Sequence, residues 1–164
     1  MDELDFYGYI SPGTGHHHEL VIPGRSLISA APADWPESLY PGSLNVRLFP
    51  QRLPSALSIP GRRATVESLD LGLFQPEFQI PQDRIGNNSI GRERGPRGGD
   101  AQVWRAFIFQ DGERVDTPQC WVLRRFGSRV GEQLELVAGS RLRDVKGIAD
   151  DQVVMVKMLG RLER

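Results

Sequence analysis

Three stretches of this sequence carry residue types that can do chemistry. The first is Gly13-Thr14-Gly15, followed by His16, His17 and His18. Glycines in a turn let backbone N–H groups close on a phosphate that side chains would otherwise obstruct. No Gly-Lys-Ser/Thr follows, so this is not a P-loop, and the third glycine and long helix of a dinucleotide fingerprint are missing. Taken alone, an ordinary turn accounts for it. The histidines invite a metal reading, because imidazole is a common ligand. Adjacent residues on a strand point to opposite faces, so only His16 and His18 could share one. With no HExxH pattern and no cysteine partners, a solvated histidine-rich loop is the simpler reading.

The second stretch is Tyr40-Pro41-Gly42-Ser43-Leu44-Asn45-Val46-Arg47-Leu48. After the Pro-Gly turn, alternation puts Leu44, Val46 and Leu48 on one face and Ser43, Asn45 and Arg47 on the other. A serine hydroxyl and an asparagine amide oxygen are hard ligands that suit Mg²⁺. The same pattern also describes a turn followed by the polar face of a half-buried strand. The third stretch runs from Glu132 through Glu135, Ser140, Arg141, Leu142 and Arg143 to Asp150-Asp151. Other candidates have structural readings. Arg124, Arg125 and Arg129 form either a basic patch or scattered surface charge. Trp35, Trp104 and Trp121 belong to the core or its rim, and Cys120, in an apolar run with no histidine after it, is a buried residue rather than a nucleophile.

The elements that must position these residues are mostly short strands. Apolar and β-branched runs predict strands over 6–10, 44–48, 103–109, 120–123, 134–137 and 153–158, with further extended segments at 20–22 and 66–74. Asp111-Gly112 reads as a hairpin turn, since both residues tolerate positive φ. A short helix is expected over 26–33, with Ser26 as its cap, and one or two helical turns over 142–148. The stretch 86–99, GNNSIGRERGPRGG, reads as loop. Such spacing predicts a barrel or a sandwich.

Composition narrows the classes further. Of 164 residues, 18 are glycine and 12 proline, which argues against helical bundles, coiled coils and helical repeats. A net charge of −1 argues against a wholly basic nucleic-acid-binding surface. One cysteine excludes an internal disulfide. No run approaches the roughly 20 apolar residues of a membrane span, and MDELDFYGYI has no basic region before an apolar one. The expectation is a soluble, cytoplasmic, mainly β domain spanning 1–164.

YPGSLNVRL resembles the P-x-G-T-L-N-[VIL]-x-L motif of the archaeal-type CTP-dependent riboflavin kinases. The later stretch, Glu132 to Arg143 and then Asp150-Asp151-Gln152-Val153-Val154, is similar to that family's ending, E-x-x-E-[IL]-[IV]-A-x-x-x-L-R, a short helix and D-G-D-x-V. The resemblance implies a small six-stranded barrel of the cradle-loop type with one or two short helices. It implies transfer of the γ-phosphoryl group of CTP to riboflavin, giving FMN and CDP, with Mg²⁺ as cofactor. Ser43 and Asn45 would then hold the metal. Gly13, Thr14, Gly15, His16, His17 and His18 would lie along the nucleotide phosphates, and Ser140, Arg141, Leu142 and Arg143 at the cytidine end. Glu135 would meet the flavin's ribityl chain, with Ser128 in place of the family's threonine. His17 stands where the family has a third glycine. The alternative is a barrel of the same kind that binds nucleotide or flavin without turnover. Either way the partners are small molecules, with no membrane and no nucleic acid.

Overall fold

The computed structural model describes residues 1–12, 20–50, 66–85, 99–126, 128 and 131–162. Nine strands form one antiparallel sheet system: β1 (Asp2–Ile10), β2 (Leu44–Leu48), β3 (Phe74–Gln75), β4 (Phe78–Ile80), β5 (Ala101–Gln110), β6 (Glu113–Arg114), β7 (Cys120–Arg125), β8 (Gln133–Ala138) and β9 (Val153–Leu162). Six of them, in the order β9-β1-β2-β8-β7-β5, close into a barrel when β5 pairs back onto β9. Closure removes the exposed edges that an open sheet of these strands would present. The short β3, β4 and β6 extend β9 and β5 outside the ring.

Alternation explains the barrel. In β2 the burial pattern follows LNVRL residue by residue, with Leu44, Val46 and Leu48 inside. Leu4, Phe6 and Ile10 of β1, Trp104, Ala106 and Ile108 of β5, and Val154, Val156 and Met158 of β9 meet them in the centre. Gly8 falls on the same inward set, between Leu48 of β2 and Val154 of β9. A Cβ there would lie 2.2 Å from the Arg47 carbonyl oxygen, a backbone atom that cannot turn aside. Gly8→Ala is therefore expected to cost about 2–3 kcal/mol. Thermal unfolding followed by circular dichroism should show a midpoint about 5–10 °C lower. An unchanged midpoint would mean that β1 and β2 can part without penalty.

A second apolar cluster lies outside the ring. Residues 20–40 form a strap across β4, β5, β7 and β8, and Val21, Ile28 and Trp35 bury against Phe78, Ile80, Val103, Trp121, Leu123 and Val137. β7 is consequently buried on both faces, which is why CWVLRR reads as a continuous run rather than an alternating one. At one end of the barrel, Arg124, only 5% exposed, donates from Nε and Nη2 to Asp70 at 3.1 Å. Gln102 Nε2 donates to the same carboxylate at 3.0 Å.

Several expectations need correction. The described residues contain 3-10 turns and no α-helix. Of the helix expected over 26–33 only a 3-10 turn, Arg25–Leu27, forms, because Pro32 and the left-handed Gly24 leave too short a run to nucleate an α-helix. The segment expected as a strand over 66–74 is a 3-10 turn, Val66–Leu71, followed by β3. Val66 and Leu69 are both fully buried three residues apart, which fits a threefold period and not a twofold one. Val21 makes an isolated bridge to Ile85 rather than a strand. The turns expected over 142–148 reduce to the 3-10 turn Leu142–Asp144. Residues 13–18 and 86–98 lie outside the described residues.

Candidate functional site

Ser43 closes the Pro41-Gly42 turn, where Gly42 adopts φ 115°, and Asn45 is the second residue of β2. Both are half-buried. Because Leu44 and Val46 must face the core, Asn45 has to face outward, and Ser43 lies on the same side. The Ser43 hydroxyl donates to Asn45 Oδ1 at 2.8 Å. The register of β2 with β8 sets Asn45 directly opposite Glu135. Leu44 opposite Leu136 and Val46 opposite Leu134 lock that register, since a slip of one residue would turn both leucines out of the core.

The end of β1 joins this pair. Ser11 N–H donates to the Asn45 carbonyl at 2.9 Å. Arg143 Nη2 donates to the Ser11 carbonyl at 2.5 Å, and its Nη1 donates to Asp150. Leu142, buried at 4%, anchors the 3-10 turn that carries Arg143, so Leu142 offers a ligand its backbone and not its side chain. Ser140 and Arg141 are exposed beside it, with Arg141 Nη1 donating to Asp144 at 3.2 Å. Asp151 closes the following turn at φ 64°, and its amide donates to the Ile10 carbonyl at 2.7 Å.

Ser43, Asn45, Glu135 and Arg143 thus gather around the end of β1, immediately before 13–18. Ser128 follows β7, its amide donating to the Arg125 carbonyl at 3.1 Å. The contact between Arg143 and Ser11 joins residues 132 positions apart, and no local pattern signals it. The sequence shows Arg143 as a cation near a turn but gives no means of finding its partner.

Ser43 Oγ and Asn45 Oδ1 are oxygens of the hard kind that Mg²⁺ takes. Their 2.8 Å separation is the length of the hydrogen bond between them. Among the described residues no three His, Cys, Asp or Glu side chains gather into a metal-binding group. A cation at this place would rest on these two neutral oxygens, water and the phosphates of a substrate, with Glu135 as the carboxylate opposite Asn45.

Other candidates are structural. Arg124 is spent on Asp70, and Arg125 Nε donates to the Gly99 carbonyl. Trp35, Trp104 and Trp121 are buried in the two cores. Burial pushes the Cys120 thiol up to about 11, so it is neutral at physiological pH. Among the described residues no helix is long and apolar enough to cross a membrane. A scan against protein-family models matches none of them, and a search of curated proteins finds no match either.

Proposed function

We propose that this chain transfers the γ-phosphoryl group of CTP to riboflavin, giving FMN and CDP, or carries out a close relative of that reaction, as a cytoplasmic enzyme. One observation supports this reading above the others: the two stretches that resemble the kinase family meet in space. Asn45 of the first stretch is paired in register with Glu135 of the second, and Arg143 of the second holds the chain just before the glycine turn. A further detail agrees. Asp151, at the position of the glycine in the family's D-G-D, adopts a positive φ of 64°, the conformation that glycine favours.

In this reading Ser43 and Asn45 hold Mg²⁺, which when bound supplies charge neutralisation to the phosphates. Gly13 to His18 run along the nucleotide phosphates, and Ser140, Arg141 and Arg143 stand at the cytidine end. Glu135 accepts hydrogen bonds from hydroxyls of the ribityl chain, with Ser128 as a further polar contact. Phosphoryl transfer depends mainly on positioning and electrostatic stabilisation, so the work of these residues is to hold donor and acceptor in line.

A second reading, a barrel that binds nucleotide or flavin without turnover, is favoured by the state of Arg143. Its guanidinium is already engaged by Asp150 and the Ser11 carbonyl. Calorimetric titration tests what both readings share. CTP in Mg²⁺ and riboflavin should each bind to one site, and EDTA should weaken CTP. Absence of heat from both ligands, in folded protein, would reject both readings. Turnover then separates them.

A further inference from the structure

The outside of the barrel has two unlike halves. Over β4, β5, β7 and β8 the strap of residues 20–40 covers the sheet. Along β1 and β9 the outward side chains are exposed or half-buried, and they include large apolar ones. Tyr7 is 50% exposed and Val153 58%. Tyr9 and Met155 are half-buried beside them. Four neighbouring apolar side chains on one outer face of a small barrel call for an explanation.

The pairing of these two strands supplies one. Successive outward levels of the ladder set Asp5 opposite Lys157, Tyr7 opposite Met155 and Tyr9 opposite Val153. From Asp5 to Tyr9 each level pairs an acid with a cation or one apolar side chain with another, whereas the level before it sets Glu3 against Leu159. Lys157 Nζ lies 3.2 Å from Asp5 and 2.9 Å from Glu3. A twofold axis parallel to the two strands, above the line midway between them, would lay β1 of one copy over β9 of another with the levels aligned. Asp5 would then meet Lys157 of the second copy, Tyr7 would meet Met155, and Tyr9 would meet Val153. An isologous contact needs a surface complementary to itself, and the ridge has that property over the three levels from Asp5 to Tyr9.

We propose that the β1–β9 ridge is the docking surface for a second copy of this chain, forming a twofold homodimer. The axis follows the crest of a closed barrel, so two convex surfaces meet along a line. The contact is therefore smaller than the roughly 800 Å² per partner of a standard interface, and the dimer is concentration-dependent. The proposal is argued from observations independent of phosphoryl transfer, and only its Tyr9–Val153 level lies near the end of β1 that carries Ser11.

Analytical ultracentrifugation over about 1 µM to 1 mM protein tests it. The natural chain is expected to shift from the mass of one chain to that of two. Asp5→Lys makes the charged level cationic on both strands, and Lys157→Asp makes it acidic on both. Each variant alone should stay monomeric where the natural chain dimerises, and mixing the two should restore a dimer. Misfolding cannot produce that recovery. Tyr7→Ser, at an exposed position where the fold is tolerant, should weaken the dimer about tenfold or more. A natural chain that stays monomeric throughout would overturn the proposal and assign the ridge to another occupant. Dimers that persist in both charge variants, or a mixture that stays monomeric, would also overturn it.

Discussion

Asn45→Ala is expected to abolish the Mg²⁺ dependence of CTP binding, lowering affinity about 100-fold or more in Mg²⁺ while leaving the barrel folded. Asn45 sits on the outer face of β2, where its side chain bonds to Ser43, and its backbone bond to Ser11 is untouched by the substitution. The core side chains of the strand, Leu44, Val46 and Leu48, stay as they are. The cost in stability should therefore stay below about 1 kcal/mol, as for most partly exposed positions. What is lost, in the proposed reading, is one of the two oxygens that hold Mg²⁺. Titrations of CTP in Mg²⁺ and in EDTA read this directly. Natural protein should show a large difference between the two conditions and the variant almost none. Equal Mg²⁺-dependent affinity in both proteins would remove Asn45 from the metal site.

The largest effect on stability is expected at Trp35. The ring is 3% exposed and stands edge-on to Phe78 and Trp121, with centroids 5.0 and 4.8 Å away. Trp35→Ala empties the middle of the second core, and removing a buried tryptophan typically costs about 3–5 kcal/mol. At this chain length the thermal midpoint should fall by about 10 °C or more. The neighbouring ion pair is the control. Arg105 donates to both oxygens of Asp34, at 2.5 and 2.8 Å, next to Trp35 in the chain. Asp34 is half-exposed, so Asp34→Ala should cost less than about 1 kcal/mol. Arg105 holds the Asp34 carboxyl below its ordinary value. A carboxyl lowered in the folded state stabilises at neutral pH, and its contribution fades only as acid protonates it. Equal midpoints for Trp35→Ala and natural protein would mean that the strap is not fastened by its aromatic residue.

The strands and the strap differ in how much of them could be read from the sequence. β2, β5 and β9 lie in sequence where their alternation or β-branched runs put them, because one face of each is buried in the barrel. Residues 20–40 misled for a physical reason. Their apolar residues bury against the outside of a sheet built largely from later sequence, so their spacing follows that surface and no helical period. Val66 and Leu69 misled similarly, since in a short segment a threefold period and an extended run are hard to tell apart. At the candidate site the shared face of Ser43 and Asn45 was legible, but the position of Glu135 opposite Asn45 was not. It depends on the β2–β8 register, which emerges only when the barrel closes. The Arg143 clamp on Ser11 was beyond any local reading. Residues 13–18, which the phosphate-loop expectation needs, lie outside the described residues.

The proposal of phosphoryl transfer is tested most directly by incubating the purified chain with riboflavin and Mg²⁺, in parallel with CTP or ATP, and separating the flavins by chromatography. Formation of FMN with CTP, and not with ATP, is the predicted result. Folded protein that binds both ligands yet forms no FMN with either nucleotide would contradict it, and would make this barrel a binding module.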